Sequence, residues 1–282
     1  MSKMKLAIVG HGFVGKAVDY GFPHNTCEKL IVDPKSTTNE IRDFVIFEPD
    51  FVFVCVPTPM SADGSVDSSI ITKVVNDIRG VTDAIIVIKS TVTPDIIDDL
   101  SKYKALVYNP EFLTEKSPNE DFVNPKLHVF GGQVEHTSKL EKLYKYHSLC
   151  KPCPCFHMSH MDASFVKYGI NTFLATKVLW FNQFFDIIDK HGGNYGRIIS
   201  AMTTDDRVGS SHTTVPGHDG RRGYGSSCFA KDTAGLAMFA KTTNVPFTVL
   251  EEVIRRNQDY RTAYAEPLPR EKEQNVRFNL DL

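Results

Sequence analysis

Short apolar runs alternate with helical patterns along the first half of the chain. Four runs are almost continuously apolar, which is typical of parallel strands buried on both faces: residues 5–9, 51–56, 84–88 and 105–108. Helical spacing follows in residues 68–80 and again from Pro94. Strands and helices in alternation predict an α/β fold with an N-terminal Rossmann-like, doubly wound parallel sheet.

The second half has a purely helical pattern. No strong breaker interrupts the chain from Met161 until Gly192 and Gly193, so this stretch predicts one helix about 45 Å long. Another helical pattern leads to a polar tail with two prolines, which we expect to be loose or docked on a partner. The predicted organisation is a sheet domain (1–158), an all-helical domain (159–265) and a C-terminal tail (266–282).

Composition narrows the class of protein. The 282 residues are 41% hydrophobic, enough for one large domain or two smaller ones, and the net charge of -2 favours neither nucleic acid nor an anionic membrane as a partner. No apolar run reaches the ~18 residues of a membrane span, and the N-terminal apolar stretch is too short for a signal peptide. We therefore expect a cytoplasmic protein with six reduced cysteines.

A glycine turn follows the first predicted strand. Gly10, Gly12 and Gly15 fit G-x-G-x-x-G between a strand and a helix, the setting in which a dinucleotide pyrophosphate meets a helix N-terminus. Asp33 ends the next apolar run, where a carboxylate would hold the ribose hydroxyls of NAD and repel the phosphate of NADP. Lys35 would weaken that preference, and Asp33 as a merely solvated strand end is the alternative.

Polar residues also follow the later strands. Pro57 and Thr58, Ser90 and Thr91, and the segment 109–111 all lie at predicted carboxyl ends, where α/β sheets bind ligands. Because these ends meet at one edge of a sheet, the pattern predicts a ligand site there.

Three further residues suggest chemistry. Lys167 and Asn171 are four apart and share a helix face, although this pair alone favours an ordinary polar stripe on an amphipathic helix. Cys228 follows Ser226 and Ser227, which suit a helix N-cap, and a thiol at a helix N-terminus has a lowered pKa. A small buried cysteine at a helix start is the alternative.

Seven motifs together carry a resemblance to a known family. The chain resembles the UDP-glucose/GDP-mannose 6-dehydrogenase family over residues 5 to about 260, through these segments in order: GHGFVG, VCVPTP, KSTVTP, NPEFLTE, KYGINTFLA, DDRVG and GYGSSCFAKD. The resemblance implies oxidation of a nucleotide-sugar C6 alcohol, most simply UDP-glucose, to the carboxylate. Two NAD+ would be used, and a thiohemiacetal and a thioester would form on the cysteine. It also implies a homodimer or higher homo-oligomer.

The resemblance assigns roles to residues of this chain. The catalytic set it implies is Cys228, Lys167, Asn171, Asp232, Glu111 and Thr91. The implied NAD-binding set is Gly10, Gly12, Phe13, Val14, Gly15, Asp33, Lys35, Val56, Pro57, Thr58, Ser90, Thr91 and Lys231. The implied substrate-binding set is Glu111, Phe112, Leu113, Glu115, Lys167, Asn171, Arg207, Tyr224 and Gly225, with Arg207 reaching the neighbouring subunit's substrate.

The chain departs from the family pattern at several points. Ser226 replaces a usual glycine, Lys116 stands where glycine is common, and the segment after Asp33 is short. The chain ends at Leu282, whereas family members continue into a second Rossmann-like domain that binds the nucleotide. We therefore interpret it as a short form whose nucleotide site is completed by a neighbouring chain or by its own tail.

Two other functions remain open. A two-electron 3-hydroxyacid dehydrogenase of the 6-phosphogluconate-like group would share the length, the Rossmann domain and the Lys-x-x-x-Asn pair, but needs no thiol. The other alternative is a protein that binds NAD but no longer catalyses a reaction.

A cysteine- and histidine-rich segment is a separate question. Zinc uses cysteine and histidine ligands, but structural zinc sites usually combine two separated ligand clusters, and the sequence has no second cluster. We therefore expect that this segment binds no metal. Its cysteines and histidines are Cys150, Cys153, Cys155, His147, His157 and His160.

Overall fold

The computed structural model describes residues 3–102 and 105–280. The chain folds into two compact units. The first comprises Met1–Thr58 and Asp67–Lys167, and the second comprises Pro59–Val66 and Tyr168–Leu282. The long helix predicted in the second half is present as His160–Lys190, and the boundary between the units lies within it.

The first unit contains a seven-stranded sheet. Its strand order is β2-β1-β3-β4-β5-β6-β7; the first five strands are parallel, and β6 and β7 run opposite to them. The predicted Rossmann-like sheet is thus confirmed, with two reversed strands at one edge. The strands are β1 Met4–Val9, β2 Cys27–Val32, β3 Phe51–Val54, β4 Ile85–Ile88, β5 Leu106–Tyr108, β6 His128–Gly132 and β7 Cys155–Met158.

Helices cover both faces of this sheet. Successive residues of β3 point to opposite faces, so Phe51 and Phe53 pack in one apolar cluster while Val52 and Val54 pack in the other. This double burial explains why the strands are continuously apolar in sequence. The helices of the unit are α1 Phe13–Gly21, α2 Phe44–Phe47, α3 Ser69–Arg79, α4 Pro94–Ser101, α5 Pro118–Val123, α6 Val134–His147 and the start of α7 His160–Lys190, with a 3-10 turn at Ile41–Asp43.

The second unit is helical. Tyr168 on α7 packs with Leu236 and Ile254, and Leu179 packs with Val253, so the core lies where α7 meets the later helices. Those helices are α8 Tyr195–Met202, α9 Ser227–Thr242, α10 Thr248–Arg261 and α11 Pro269–Glu273. No helix within the described ranges is long and apolar enough to cross a bilayer.

The prediction of a loose or partner-docked tail was wrong for the described part of the tail. Residues 268–280 pack within the second unit, where Leu280 joins Met60 and Ala234 in an apolar cluster. The Met60 amide donates to the Gln274 carbonyl (2.9 Å), and Gln258 Nε2 donates to the Leu280 carbonyl (2.9 Å). The polar residues of this segment instead form hydrogen bonds within the unit and one buried ion pair, between Arg261 and Glu271.

Candidate functional site

The glycine turn between β1 and α1 leaves open space only at its middle glycine. A Cβ on Gly15 would lie 1.9 Å from the Gly10 carbonyl oxygen, and one on Gly10 (φ +88°) would lie 2.8 Å from the Cys55 oxygen. A Cβ on Gly12, the N-cap of α1, would meet nothing within 4 Å. The outer glycines therefore allow close packing, and the middle one leaves the helix N-terminus open, as a bound pyrophosphate requires.

Asp33 lies beside this turn. Its carboxylate accepts hydrogen bonds from the backbone N–H groups of His11 (2.7 Å) and Lys35 (2.8 Å). Partial burial opposes ionisation of Asp33, but the two N–H donors outweigh it and lower its pKa. Asp33 is therefore a fixed carboxylate at the carboxyl end of β2, next to the glycines, while Lys35 is exposed. Phe13 and Val14 begin α1 and are partly buried.

The loops after β3 and β4 are joined by hydroxyl groups. Thr58 Oγ1 donates to the Thr91 carbonyl (2.9 Å), and Ser90 Oγ donates to the Val56 carbonyl (2.7 Å). Thr58 and Ser90 are buried, whereas Thr91 is partly exposed and Pro57 is exposed. The predicted strand-end residues are thus brought together, and two of their hydroxyls hold the loops in place.

Lys167 and Glu111 form a buried pair in the first unit. Lys167 Nζ lies 3.2 Å from Glu111 Oε1 and donates to the Glu111 carbonyl, and it lies 5.3 Å from the Phe112 ring centroid. Burial opposes ionisation of Glu111, but the charge of Lys167 and the N–H of Leu113 (2.6 Å) lower its pKa below the usual value. The neighbouring Glu115 is partly buried.

A buried lysine that sequence reasoning did not select lies at the end of β4. Lys89 Nζ donates to Asn109 Oδ1 (2.9 Å), which also accepts from the Tyr144 hydroxyl (2.8 Å), and Asn109 Nδ2 donates to the Val129 carbonyl (2.9 Å). Burial lowers the pKa of Lys89 to about 8. The signal that points to it is a lysine directly after four buried apolar strand residues.

Cys228 lies in the first turn of α9, as its flanking serines predict. Ser226 is the N-cap, and its Oγ accepts the Cys228 N–H (3.2 Å). Ser226 has φ +66° and ψ 155°, a conformation that essentially only glycine adopts freely and that costs another residue about 1–3 kcal/mol. The thiol is partly exposed at the positive end of the helix.

Asp232 lies one turn after Cys228 and is almost fully buried. Its two carboxylate oxygens accept from Asn171 Nδ2 (2.6 Å) and Lys231 Nζ (2.7 Å), both of which are also buried. Asp232 therefore holds the ammonium group of Lys231 in place. Asn171 is one turn from Lys167 on α7, and each of these two side chains meets a buried carboxylate.

The glycine-rich loop before Cys228 is tightly held. Tyr224 is buried and exchanges two hydrogen bonds with the Asn257 side chain (2.8 and 2.9 Å). A Cβ on Gly225 would lie 2.2 Å from Arg261 Nη2. By contrast, Arg207 is 90% exposed and pairs with its neighbour Asp205. The structure does not bring Arg207 together with the cysteine-bearing loop of its own unit.

The side chains of the cysteine- and histidine-rich segment contact different parts of the first unit. Cys150 Sγ contacts the Phe122 carbonyl, and His157 lies between Thr137 and Glu141. Within residues 3–102 and 105–280, no three His, Cys, Asp or Glu side chains are grouped so that they could hold a metal ion. None of the six cysteines, which all lie in the described ranges, forms a disulfide.

Two family models match most of the chain. The NAD-binding domain model of the UDP-glucose/GDP-mannose dehydrogenase family matches residues 35–148, and that family's central-domain model matches residues 161–259. The chain belongs to this family. It carries that family's NAD-binding domain and central domain.

Curated relatives agree. The chain is 30% identical over 256 residues to UDP-glucose 6-dehydrogenase TuaD of Bacillus subtilis, covering 86% of this chain and 53% of that protein. It is 32% identical over 225 residues to UDP-glucose 6-dehydrogenase YwqF of the same organism, covering 75% and 49%. The chain thus spans about half the length of the curated relatives it matches.

Solved structures share the fold. A UDP-glucose dehydrogenase from Pyrobaculum islandicum has a TM-score of 0.79 at 24% identity, covering 92% of this chain and 68% of that one. A 3-hydroxyisobutyrate dehydrogenase from Mycobacterium tuberculosis has a TM-score of 0.73 at 13% identity, covering 98% and 97%. At these identities the likenesses show the fold alone, which a UDP-glucose dehydrogenase and a 3-hydroxyisobutyrate dehydrogenase share with this chain.

Proposed function

We propose that this protein oxidises the C6 alcohol of a nucleotide sugar, most simply UDP-glucose, to the carboxylate. The observation that carries the proposal is a capped cysteine in the first turn of α9, one turn before a buried Asp232 that is held by Asn171 and Lys231. The two-electron hydroxyacid dehydrogenases need no such thiol. The names of the curated relatives support the substrate class.

NAD is the proposed oxidant, and the glycine turn is its proposed seat. The open space at Gly12 fits a pyrophosphate, and the fixed carboxylate of Asp33 fits the ribose hydroxyls and disfavours NADP. We assign the remaining contacts to the residues predicted above: Phe13, Val14, Lys35, Val56, Pro57, Thr58, Ser90, Thr91 and Lys231. When bound there, two successive NAD+ molecules each accept one hydride.

In the first oxidation the C6 hydroxyl loses a proton and C6 becomes an aldehyde. Lys167 is assigned to stabilise the developing alkoxide, since an ammonium group in a buried site interacts strongly with a new negative charge. Glu111 orients the water that takes the proton, and Thr91 contributes a hydroxyl group. The resemblance to the family assigns sugar-binding roles to Phe112, Leu113 and Glu115 and to Tyr224 and Gly225.

The second oxidation uses the thiolate. Cys228 Sγ attacks the aldehyde carbon and forms a thiohemiacetal, and loss of the second hydride leaves a thioester. A water oriented by Asp232 and Asn171 then cleaves the C–S bond, giving the carboxylate and releasing the thiol. The balance is one alcohol, two NAD+ and one water to one carboxylate, two NADH and three protons.

We also propose a homodimer or higher homo-oligomer that works in the cytoplasm, where NAD and nucleotide sugars occur. Phe173, Trp180 and Ile187 are spaced by seven residues on α7, and each is at least half exposed. Such an apolar stripe on a long helix is typical of an interface between helices. Arg207, which is exposed, would then reach the neighbouring subunit's substrate.

The first test is the number of NADH molecules formed per molecule of UDP-glucose consumed, measured by absorbance against quantified substrate. We expect two. One would favour a hydroxyacid-type oxidation, which the shared 3-hydroxyisobutyrate dehydrogenase fold keeps as the alternative, and none with intact NAD binding would indicate a binding protein.

The matched variant is Cys228→Ser. We expect acid formation to fall at least a thousandfold, because an alcohol is a far weaker nucleophile at neutral pH than a thiolate. Cys153→Ser, at a partly exposed cysteine in the other unit, is the control and should retain full activity. Undiminished acid formation by Cys228→Ser would contradict the covalent mechanism.

A further inference from the structure

The N-cap of the cysteine-bearing helix has an unusual backbone conformation. Ser226 has φ +66° and ψ 155°, in a region that glycine occupies without strain and that other residues keep only when their surroundings enforce it. Ser226 directly precedes the first turn that carries Cys228. Whatever holds Ser226 in place therefore also holds the start of α9.

The group that holds Ser226 is a carboxylate from the C-terminal segment. Glu271 Oε1 accepts the Ser226 N–H (3.2 Å) and a hydrogen bond from Arg261 Nη2 (2.7 Å), and Oε2 accepts the Leu268 N–H (2.7 Å). Glu271 is 0% exposed. A buried carboxylate with three donors is fixed in position, so it offers Ser226 a rigid acceptor.

Arg261 braces the same loop from a second direction. Its Nη1 donates to Asp219 Oδ2 (2.8 Å), and its guanidinium packs directly on Gly225, where any side chain would collide with it. Arg261 is 2% exposed. Gly225 and Ser226 are thus held by one buried ion pair between Arg261 and Glu271.

The segment that supplies Glu271 is itself anchored within the second unit. The Gln274 carbonyl accepts the Met60 N–H, and Leu280 packs with Met60 and Ala234. The segment that carries Glu271 therefore cannot shift away from Ser226 as a whole without breaking these contacts.

We propose that Glu271 is a positioning residue for Cys228: it holds Ser226 in its strained conformation and thereby fixes the thiol at the N-terminus of α9. This role rests on the proposed function only where catalysis is measured. Glu271 does not touch the reacting atoms and acts through Ser226.

Glu271→Gln tests the role directly. The amide keeps the size of the side chain but is a weaker acceptor and cannot accept three hydrogen bonds through two oxygens. We expect the Cys228 amide to exchange with deuterium at least tenfold faster, while amides in the middle of α7 are unchanged. Glu273→Gln, at an exposed position of the same short helix, is the matched control and should exchange like the wild type.

Ser226→Gly provides the rescue. Glycine adopts φ +66° without strain, so the loop should need the carboxylate less. In the wild-type background we expect Glu271→Gln to lower kcat for acid formation at least tenfold with little change in the KM for NAD+. In the Ser226→Gly background we expect the same substitution to cost threefold or less, a difference that a purely structural loss of stability would not produce.

The outcomes separate the two proposals. If wild-type protein forms no NADH from UDP-glucose, the proposed function fails. Deuterium exchange then still tests whether Glu271 positions Ser226 and Cys228. The positioning role of Glu271 is overturned if the Cys228 amide exchanges at the same rate in wild type and Glu271→Gln. It is also overturned if the increase in exchange rate at Cys228 is no larger than the increase in α7. If Glu271→Gln does not fold, recovery of folded protein by added Ser226→Gly supports the role, and failure of that double variant overturns it.

Discussion

The three glycines after β1 have different structural roles, although the sequence motif does not distinguish them. Gly10 and Gly15 allow backbone segments to touch, since a Cβ on either would lie within 3 Å of a carbonyl oxygen. Gly12 faces open space. The three glycines of the motif therefore comprise two packing positions and one open position, where we propose that NAD binds, and single substitutions can separate these effects.

Gly12→Ala should weaken NAD+ binding without unfolding the protein. The new methyl group meets no protein atom within 4 Å, so stability should change by less than about 1 kcal/mol. It would occupy space needed by the pyrophosphate, and we expect the Kd for NAD+ to rise at least tenfold in a calorimetric titration.

Gly15→Ala is the contrasting variant. Its methyl group would lie 1.9 Å from the Gly10 oxygen, which should cost about 2–3 kcal/mol in the free energy of unfolding. Equal stability of the two alanine variants in urea would contradict this division of roles.

At the scale of elements, the sequence predicted best where a single local rule applies. The continuous apolar runs predicted buried strands, and Ser226 before Cys228 predicted the start of α9, because both depend on neighbours in sequence. Partnerships such as Asn171 with Asp232, 61 residues apart, depend on how helices pack and could not be read locally. The Arg261–Glu271 pair was missed for a related reason: a polar segment indicates exposure unless its partner is known.

The end of β4 makes a pH-dependent prediction. Burial lowers the pKa of Lys89 to about 8, whereas an unfolded lysine titrates near 10.4. Between these values the unfolded chain binds more protons than the folded one, so this group's contribution to stability rises with pH from about 8 to 10.4. Below pH 8 both states are protonated and the contribution is constant and unfavourable.

Lys89→Met should remove this trend. Between pH 7 and 9.5 we expect the wild type to gain on the order of 1–2 kcal/mol in the free energy of unfolding relative to the variant, measured by urea denaturation. Making both measurements in a Cys55→Ser background removes the opposite trend of Cys55, whose thiol pKa burial raises to about 12. A constant difference across that range would show that Lys89 titrates normally.

At the scale of the whole molecule, the exposed stripe on α7 is an apolar surface that the isolated chain leaves uncovered. Ile187 is 58% exposed, and it follows Phe173 and Trp180 at seven-residue intervals. Exposing an apolar stripe to water is unfavourable, and a second copy of the chain would cover it. A charge within the stripe should weaken that association. We expect Ile187→Glu to raise the Kd for self-association at least tenfold, as measured by sedimentation equilibrium.

Val249→Glu places the same charge at a 64% exposed position on a different helix, α10, and should leave the association unchanged. If both variants associate like the wild type, the interface lies elsewhere. If Ile187→Glu becomes monomeric and also loses activity while its NAD+ affinity is retained, a neighbouring chain contributes to the sugar site, as the exposure of Arg207 at 90% suggests. A fully active monomer would instead place the whole sugar site within one chain.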